Sequence, residues 1–266
     1  MAKHDEMTVL ERIFATGDAT MQRSLRPPRL AARAQGTWPP SVNFNAAVIV
    51  WIVCIILAFV GLDGPVAHWA KAHVAPDTPF HSFFDTLTRL GESLWFLMVT
   101  FIMFMTLATI RWPRVDRRER FRLSQVHGAA FFAFATVAVI GTAISIVKHT
   151  IGRARPSQLE TLGPYHSAFP IWDATFASFP SGHSTTFGAS AMALVLIFPR
   201  YRWAFLVFGI LGGTSRIVLG AHWISDVMAG LGIGALFVLL CARFLARRRT
   251  LFVFDGTVFP RLAATR

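Results

Sequence analysis

The stretch from 213 to 230, GTSRIVLGAHWISDVMAG, places a cation, an imidazole and a carboxylate close together in an otherwise apolar region. The three residues are Arg216, His222 and Asp226, which fall within eleven positions. Asp226 follows His222 by four residues, so in a helix the two side chains lie on one face. A carboxylate in that position can orient an imidazole and stabilise its cationic form. The spacing predicts a histidine–carboxylate pair capable of catalysis.

Two other stretches, KHTIGRARP and FPSGHS, add cations and a second histidine. Their relevant residues are Lys148 and Arg155 in the first, and Ser181, Gly182 and His183 in the second. Together with Arg216, the two cations can neutralise a phosphate, and arginines can bind its oxygens in a bidentate manner. The Ser-Gly pair precedes a predicted helix, whose free N–H groups and dipole favour an anion. Two histidines suit one nucleophile and one proton donor.

Each of these stretches has an ordinary structural interpretation when it is taken alone. An arginine at the end of a membrane span commonly snorkels to the interface, and Ser-Gly commonly opens a helix. All three stretches, however, fall at the ends of apolar runs on the same predicted side of a membrane. Because ionisable residues at membrane depth are costly, their joint occurrence indicates a functional anion site.

The composition indicates a membrane protein. Hydrophobic residues make up 54% of the 266 residues and charged residues 15%, whereas a soluble domain carries about 25% charged residues. Six apolar runs approach the roughly 20 residues that a helix needs to cross a bilayer. We therefore predict an all-α polytopic membrane protein with about six transmembrane helices. The runs cover about 46–62, 94–110, 128–147, 185–198, 203–219 and 224–245.

The basic residues predict the orientation of these helices. Twenty of the 26 Lys and Arg residues lie in the N-terminal segment, the 111–122 loop, the 199–202 turn and the C-terminal stretch from Arg243 onward. The positive-inside rule makes this side cytoplasmic, so the three stretches would face outward, to the periplasm. The expected organisation is a cytoplasmic segment 1–44, a six-span domain 45–246 and a cytoplasmic tail 247–266. The formal net charge of +12 is thus a topology signal, and no nucleic-acid partner is expected.

The three stretches resemble the type-2 phosphatidic acid phosphatase (lipid phosphate phosphatase) superfamily, in its bacterial integral-membrane branch. The family pattern is Lys, six residues, Arg-Pro; then Pro-Ser-Gly-His; then Ser-Arg, five residues, His, three residues, Asp, and every position matches. The resemblance implies that His222 attacks phosphorus to form a phosphohistidine, that Asp226 supports it and that His183 protonates the leaving group. It also implies that the phosphate is held without metal or other cofactor. The implied phosphate ligands are Lys148, Arg155, Ser181, Gly182 and Arg216.

The pattern is specific for the superfamily but leaves the substrate open. Candidate substrates are undecaprenyl pyrophosphate, phosphatidylglycerophosphate, phosphatidate and lipid A phosphates, in a bacterial-type inner membrane. A phosphotransferase that passes the phosphoryl group to a lipid acceptor is an alternative. A non-catalytic anion-binding or transport protein is a more remote one. The oligomeric state is open.

Several residues near the three stretches have less definite expectations. Arg153 and His149 are assigned equally to headgroup contact and to interface anchoring, and Trp223 is expected to be an interfacial aromatic. Tyr165, His166 and Trp172, in the outer loop 157–179, are expected to form a lid or a substrate rim. The segment after Thr78 is expected to form an amphipathic helix that lies near the outer surface or packs on the helix bundle. Neither Cys54 nor Cys241 is expected in a disulfide.

Overall fold

The chain is described by a computed structural model that covers residues 42–76, 78–110, 116–170, 172–254 and 258–263. The predicted cytoplasmic segment 1–44 lies almost wholly outside these ranges. Within them the protein is helical. The α-helices are α1 (Val42–Gly61), α2 (Asp63–His73), α3 (Pro79–Arg89), α4 (Ser93–Ala108), α5 (Arg117–Ile151), α6 (Leu159–Leu162), α7 (Gly182–Ile197), α8 (Arg202–Val218) and α9 (Ile224–Arg247).

A helix lies at each of the six predicted apolar runs, so the all-helical membrane fold is confirmed. Three of these helices, α1, α5 and α9, are long and apolar enough to cross a membrane, and α3 with α4 makes a fourth if that pair, bent by 40°, is one span. The α7 helix is apolar but shorter, and α8 has 17 residues. The count of six crossings stays a prediction. Only 6% of the Phe44–Gly61 stretch of α1 is buried, as expected for a helix with a lipid-facing side.

The helix at the third predicted run, α5, extends beyond the predicted bounds at both ends. The α5 helix has 35 residues, and Asp116 caps its start by accepting a hydrogen bond from the Arg118 N–H at 3.1 Å. Half of the predicted basic loop 111–122 is therefore helical. At the other end the helix continues to Ile151 and stops at Gly152, whose φ of 63° is left-handed. Lys148 consequently projects from the last turn.

Close packing of α7 against α9 sets the position of the site. Gly234 of α9 lies against the backbone of Thr185, where a methyl group would collide with the Thr185 carbonyl. Where the two helices begin, the Ser181 N–H donates to the Asp226 carbonyl at 3.1 Å. Because the helices are this close, the starts of α7 and α9 lie side by side. His183 and Asp226 are thereby brought to the same end of the bundle.

The described part of the C-terminal tail packs on the opposite end of α9. Strands β1 (Phe252–Val253) and β2 (Arg261–Leu262) pair antiparallel, with Phe252 opposite Leu262. The ring of Phe252 is fully buried in the main hydrophobic core, against Phe132 of α5. The tail therefore completes the core at the end away from the three stretches.

Candidate active site

His222 lies in a tight connection between α8 and α9. The α8 helix ends at Val218, and Gly220 follows with a left-handed φ of 61°. The backbone N–H groups of Ala221 and His222 both turn back to the Arg216 carbonyl, at 3.0 and 3.2 Å. The sequence analysis considered His222 and Asp226 as one helical face, but α9 begins at Ile224, so His222 lies before the helix. The imidazole is thus held by a turn of the backbone and is 4% exposed.

The Asp226 carboxylate faces the imidazole from the first turn of α9. Its Oδ2 atom lies 3.5 Å from His222 Nδ1 and accepts the Trp223 N–H at 3.1 Å. The Ser178 hydroxyl, which the sequence analysis did not identify, donates to the same oxygen at 2.5 Å and lies 3.5 Å from His222 Nδ1. Nδ1 is therefore directed at the carboxylate and the serine. Nε2 makes no hydrogen bond with any residue in the described ranges.

Burial keeps the imidazole in the form that a nucleophile needs. It lowers the pKa of His222 below that of a free imidazole, against the opposing effect of the Asp226 carboxylate. The neutral ring therefore predominates around pH 7. With its proton on Nδ1, facing Asp226, the lone pair is on Nε2. This arrangement matches the requirement for attack on an electrophile, with the carboxylate placed to stabilise the cation that results.

Three cations from different segments lie near the two histidines of the site. Lys148 ends α5, Arg155 follows it in the connecting loop, and Arg216 lies in the last turn of α8. All three lie within electrostatic reach of His183. Neither the Lys148 nor the Arg155 side chain makes a hydrogen bond or ion pair with another described residue, and Arg216 donates to Thr88 at 3.0 Å. The cluster keeps most of its donors for an anion.

The start of α7 lies beside the cluster. Ser181 is the N-cap, and its hydroxyl oxygen accepts from the Ser184 N–H at 3.4 Å and the Ser184 hydroxyl at 2.9 Å. Ser181 is fully buried, whereas Gly182 and His183 are half-buried. The first N–H groups of a helix have no partner within it, so those of Gly182 and His183 are available to an anion. The His183 side chain has no hydrogen-bond partner among the described residues.

Arg153 and Trp223 differ from their expected interfacial roles, because both are buried. Arg153 is 2% exposed and lies between two carboxylates, at 2.7 Å from Asp63 and 2.6 Å from Asp226. The Trp223 indole is 1% exposed and donates to the Ala154 carbonyl at 2.7 Å. Asp63 was missed by the sequence analysis. The available signal was a lone acid directly after the first apolar run, where an uncompensated charge is costly.

Two of the aromatic side chains in the loop 157–179, Tyr165 and Trp172, have different surroundings. Tyr165 donates to the Val60 carbonyl at 2.8 Å and so joins the loop to α1. Trp172 is 78% exposed and stacks on His149 with ring centroids 4.9 Å apart. Since His149 adjoins Lys148, Trp172 lies near the cationic cluster. A role for this loop as a substrate rim stays a prediction.

Fold and site together define a helical membrane enzyme in which a histidine–carboxylate pair faces a cluster of cations. The profile of the PAP2 superfamily matches residues 128–250, which include all three stretches. A lipid A 1-phosphatase of Rhizobium johnstonii is 35% identical over 83% of this chain and 88% of its own length. The chain therefore belongs to the PAP2 superfamily, as the resemblance predicted.

Other similar proteins are named as phosphatases of lipids that are among the candidate substrates. A lipid A 1-phosphatase of Rhizobium etli is 33% identical over 80% of this chain and 90% of its own length. An undecaprenyl-diphosphatase of Bacillus subtilis is 37% identical over 30% of this chain and 40% of its own length. The chain was also compared with the crystal structure of a transmembrane PAP2 type phosphatidylglycerolphosphate phosphatase from Bacillus subtilis. The two sequences are 19% identical, the match covers 74% of this chain and 94% of the Bacillus chain, and the TM-score is 0.45.

Proposed function

We propose that this protein is an integral-membrane lipid phosphatase that removes the 1-phosphate of lipid A. The observation that carries the phosphatase assignment is the free Nε2 of a neutral, buried His222 inside a cluster of cations with unused donors. The lipid A assignment is supported by the two Rhizobium relatives, which align along most of the chain. Undecaprenyl pyrophosphate, phosphatidylglycerophosphate and phosphatidate are the alternative substrates.

The proposed reaction has two steps. Nε2 of His222 attacks phosphorus, the bond from phosphorus to the lipid oxygen breaks, and that oxygen takes a proton from the imidazolium form of His183. The resulting phosphohistidine carries a positive charge that faces Asp226. His183 then takes a proton from water, which attacks phosphorus and releases phosphate from Nε2.

The charge that develops on the phosphoryl oxygens is stabilised by side chains and backbone groups. Lys148, Arg155 and Arg216 supply three positive charges, and the start of α7 supplies N–H groups from Gly182 and His183. Ser181 holds that helix start in place and keeps its hydroxyl hydrogen for a phosphate oxygen. Since these groups balance the charge of the phosphate, the reaction needs no metal ion.

Phosphate release from purified protein tests the activity and the substrate. In detergent with excess EDTA, we expect release from the 1-position of lipid A, and inhibition by vanadate, which adopts the five-coordinate geometry of phosphoryl transfer. The same assay includes the three alternative lipids. A phosphotransferase would instead move labelled phosphate to a lipid acceptor. A strict requirement for Mg²⁺, or no release from any of the four lipids, would refute the proposal.

The proposed location is the inner membrane of a bacterium, with the active site in the periplasm and both termini in the cytoplasm. It is supported by the distribution of Lys and Arg. In a variant without Cys54 and Cys241, Thr161→Cys should react with a membrane-impermeant thiol reagent in intact cells. Arg118→Cys should react only after permeabilisation, and both positions are exposed. The opposite labelling pattern would invert the topology.

A further inference from the structure

A buried ionic network contacts the Oδ1 atom of Asp226, the carboxylate oxygen that does not face His222. We infer that Asp63 and Arg153 are positioning residues that hold Asp226 against His222 and keep a net negative field on the imidazole during phosphoryl transfer. The inference rests on the proposed phosphatase function. Neither residue touches the reacting atoms in this arrangement, so both would act through Asp226.

The two terminal nitrogens of Arg153 serve two different carboxylates. Nη1 donates to Asp226 Oδ1 at 2.6 Å and to the Ser225 hydroxyl at 2.8 Å. Nη2 donates to Asp63 Oδ2 at 2.7 Å and to the Pro164 carbonyl at 3.0 Å. The Arg153 side chain is 3% exposed, and both carboxylates are fully buried. Only a planar fork with several donors can make all these contacts at once.

Asp63 also holds the helix turn on which Asp226 lies. Its Oδ1 accepts the Ser225 N–H at 2.9 Å, and its Oδ2 accepts the Ser225 hydroxyl at 2.6 Å. The guanidinium of Arg153 lies over the rings of Phe59 and Trp223, at 4.7 and 5.2 Å from their centroids. The network thus contacts Ser225, directly before Asp226, and Trp223 in the same turn, as well as Asp226 itself. Such contacts restrict the rotation of the carboxylate.

The charges of the network also explain why two acids accompany one arginine. Arg153 beside Asp226 alone would cancel most of the negative field that His222 experiences. Asp63 offsets the charge of Arg153, so the three groups together are negative by one unit. When Nε2 bonds to phosphorus, the ring becomes cationic, and this remaining negative charge stabilises it.

The pH dependence of activity distinguishes the proposed electrostatic role of the network from a purely structural one. Asp63→Asn keeps the size of the side chain but removes a negative charge, which disfavours the imidazolium form. The pKa of His222, already lowered by burial, should therefore fall further, and the acidic limb of activity should move to lower pH. Loss of packing alone would not move that limb. Besides Asp226, the charged or titratable groups around His222 are Arg155, Arg216 and His183.

The experiment measures kcat and KM against pH for purified Asp63→Asn. We expect kcat to fall about tenfold, as for other partners that orient catalytic groups indirectly, with KM unchanged and the acidic limb at lower pH. The control is Asp116→Asn, the same change at the exposed cap of α5, which should match the wild type. An unchanged kcat, or a loss of kcat with an unmoved limb, would overturn the inference.

A second variant decides the matter if Asp63→Asn does not fold. Arg153→Lys keeps every charge, but one ammonium cannot span both carboxylates, so kcat should fall while the acidic limb stays near that of the wild type. Wild-type kcat in this variant would overturn the inference. A wild-type protein that releases no phosphate refutes the proposed function instead, whereas an active wild type with unaffected variants refutes only the role of the network.

Discussion

Replacing His222 with alanine should abolish turnover while leaving the protein folded in the membrane. The His222 imidazole has one nitrogen, Nδ1, facing a carboxylate, while its other nitrogen, Nε2, makes no hydrogen bond with a described residue. Without this imidazole, the phosphoenzyme cannot form and the second step cannot take place. We expect a loss of at least about 10⁴-fold in kcat, because removing the nucleophile disables a catalytic unit as a whole.

Phosphate release from lipid A by His222→Ala measures this effect, with the thermal transition in detergent as the test of folding. The matched control is His73→Ala, which removes an exposed imidazole at the end of α2 and should have wild-type activity. Activity of the His222 variant near that of the wild type would refute the assigned nucleophile.

Replacing Arg216 with lysine should lower kcat about 10²-fold or more, the usual effect of losing one donor to a developing charge. The charge is kept, but the planar fork is lost, and with it the ability to bind two phosphate oxygens while donating to Thr88. A lysine ammonium is also strongly hydrated, which opposes its placement in this half-buried position. Sensitivity to vanadate should fall with kcat.

Phosphate release and vanadate inhibition of Arg216→Lys test this expectation together. Arg89→Lys is the control, since Arg89 is exposed on α3 and its one partner among the described residues is Asp85, four residues away on the same helix. Full activity with unchanged vanadate sensitivity in Arg216→Lys would show that other groups neutralise the phosphate.

The sequence alone predicts the helices and the cluster of chemical groups for one physical reason. Apolar runs long enough to approach the thickness of a bilayer must be helical, because backbone groups in lipid have no water to bond. Alternate ends of successive spans then lie on the same side. Lys148, His183 and His222 come from ends that fall on one side, so their proximity follows from the order of the chain.

The support for the site could not be predicted in this way. The contacts of Arg153 with Asp63 and Asp226 join residues 90 and 73 positions apart, and no local pattern encodes them. An arginine at a span end is equally consistent with the interface and with the interior. Only the packing of α2 against the start of α9 decides between these, and it depends on tertiary contacts. The contacts of Ser178 and Thr88 could not be predicted for the same reason, since hydroxyl residues in loops and helices are common.

The most direct test of the proposed phosphohistidine mechanism is the isolation of the phosphorylated enzyme. Purified protein is mixed with lipid A labelled at its 1-phosphate, quenched within the first turnover, and digested to locate the label. The phosphohistidine mechanism predicts that His222 carries the label. The label should be stable in alkali and lost in acid, as for a phosphoramidate, and should be absent from the His222→Ala protein. Label on another residue, or phosphate release during rapid turnover with no labelled enzyme at any quench time, would contradict it.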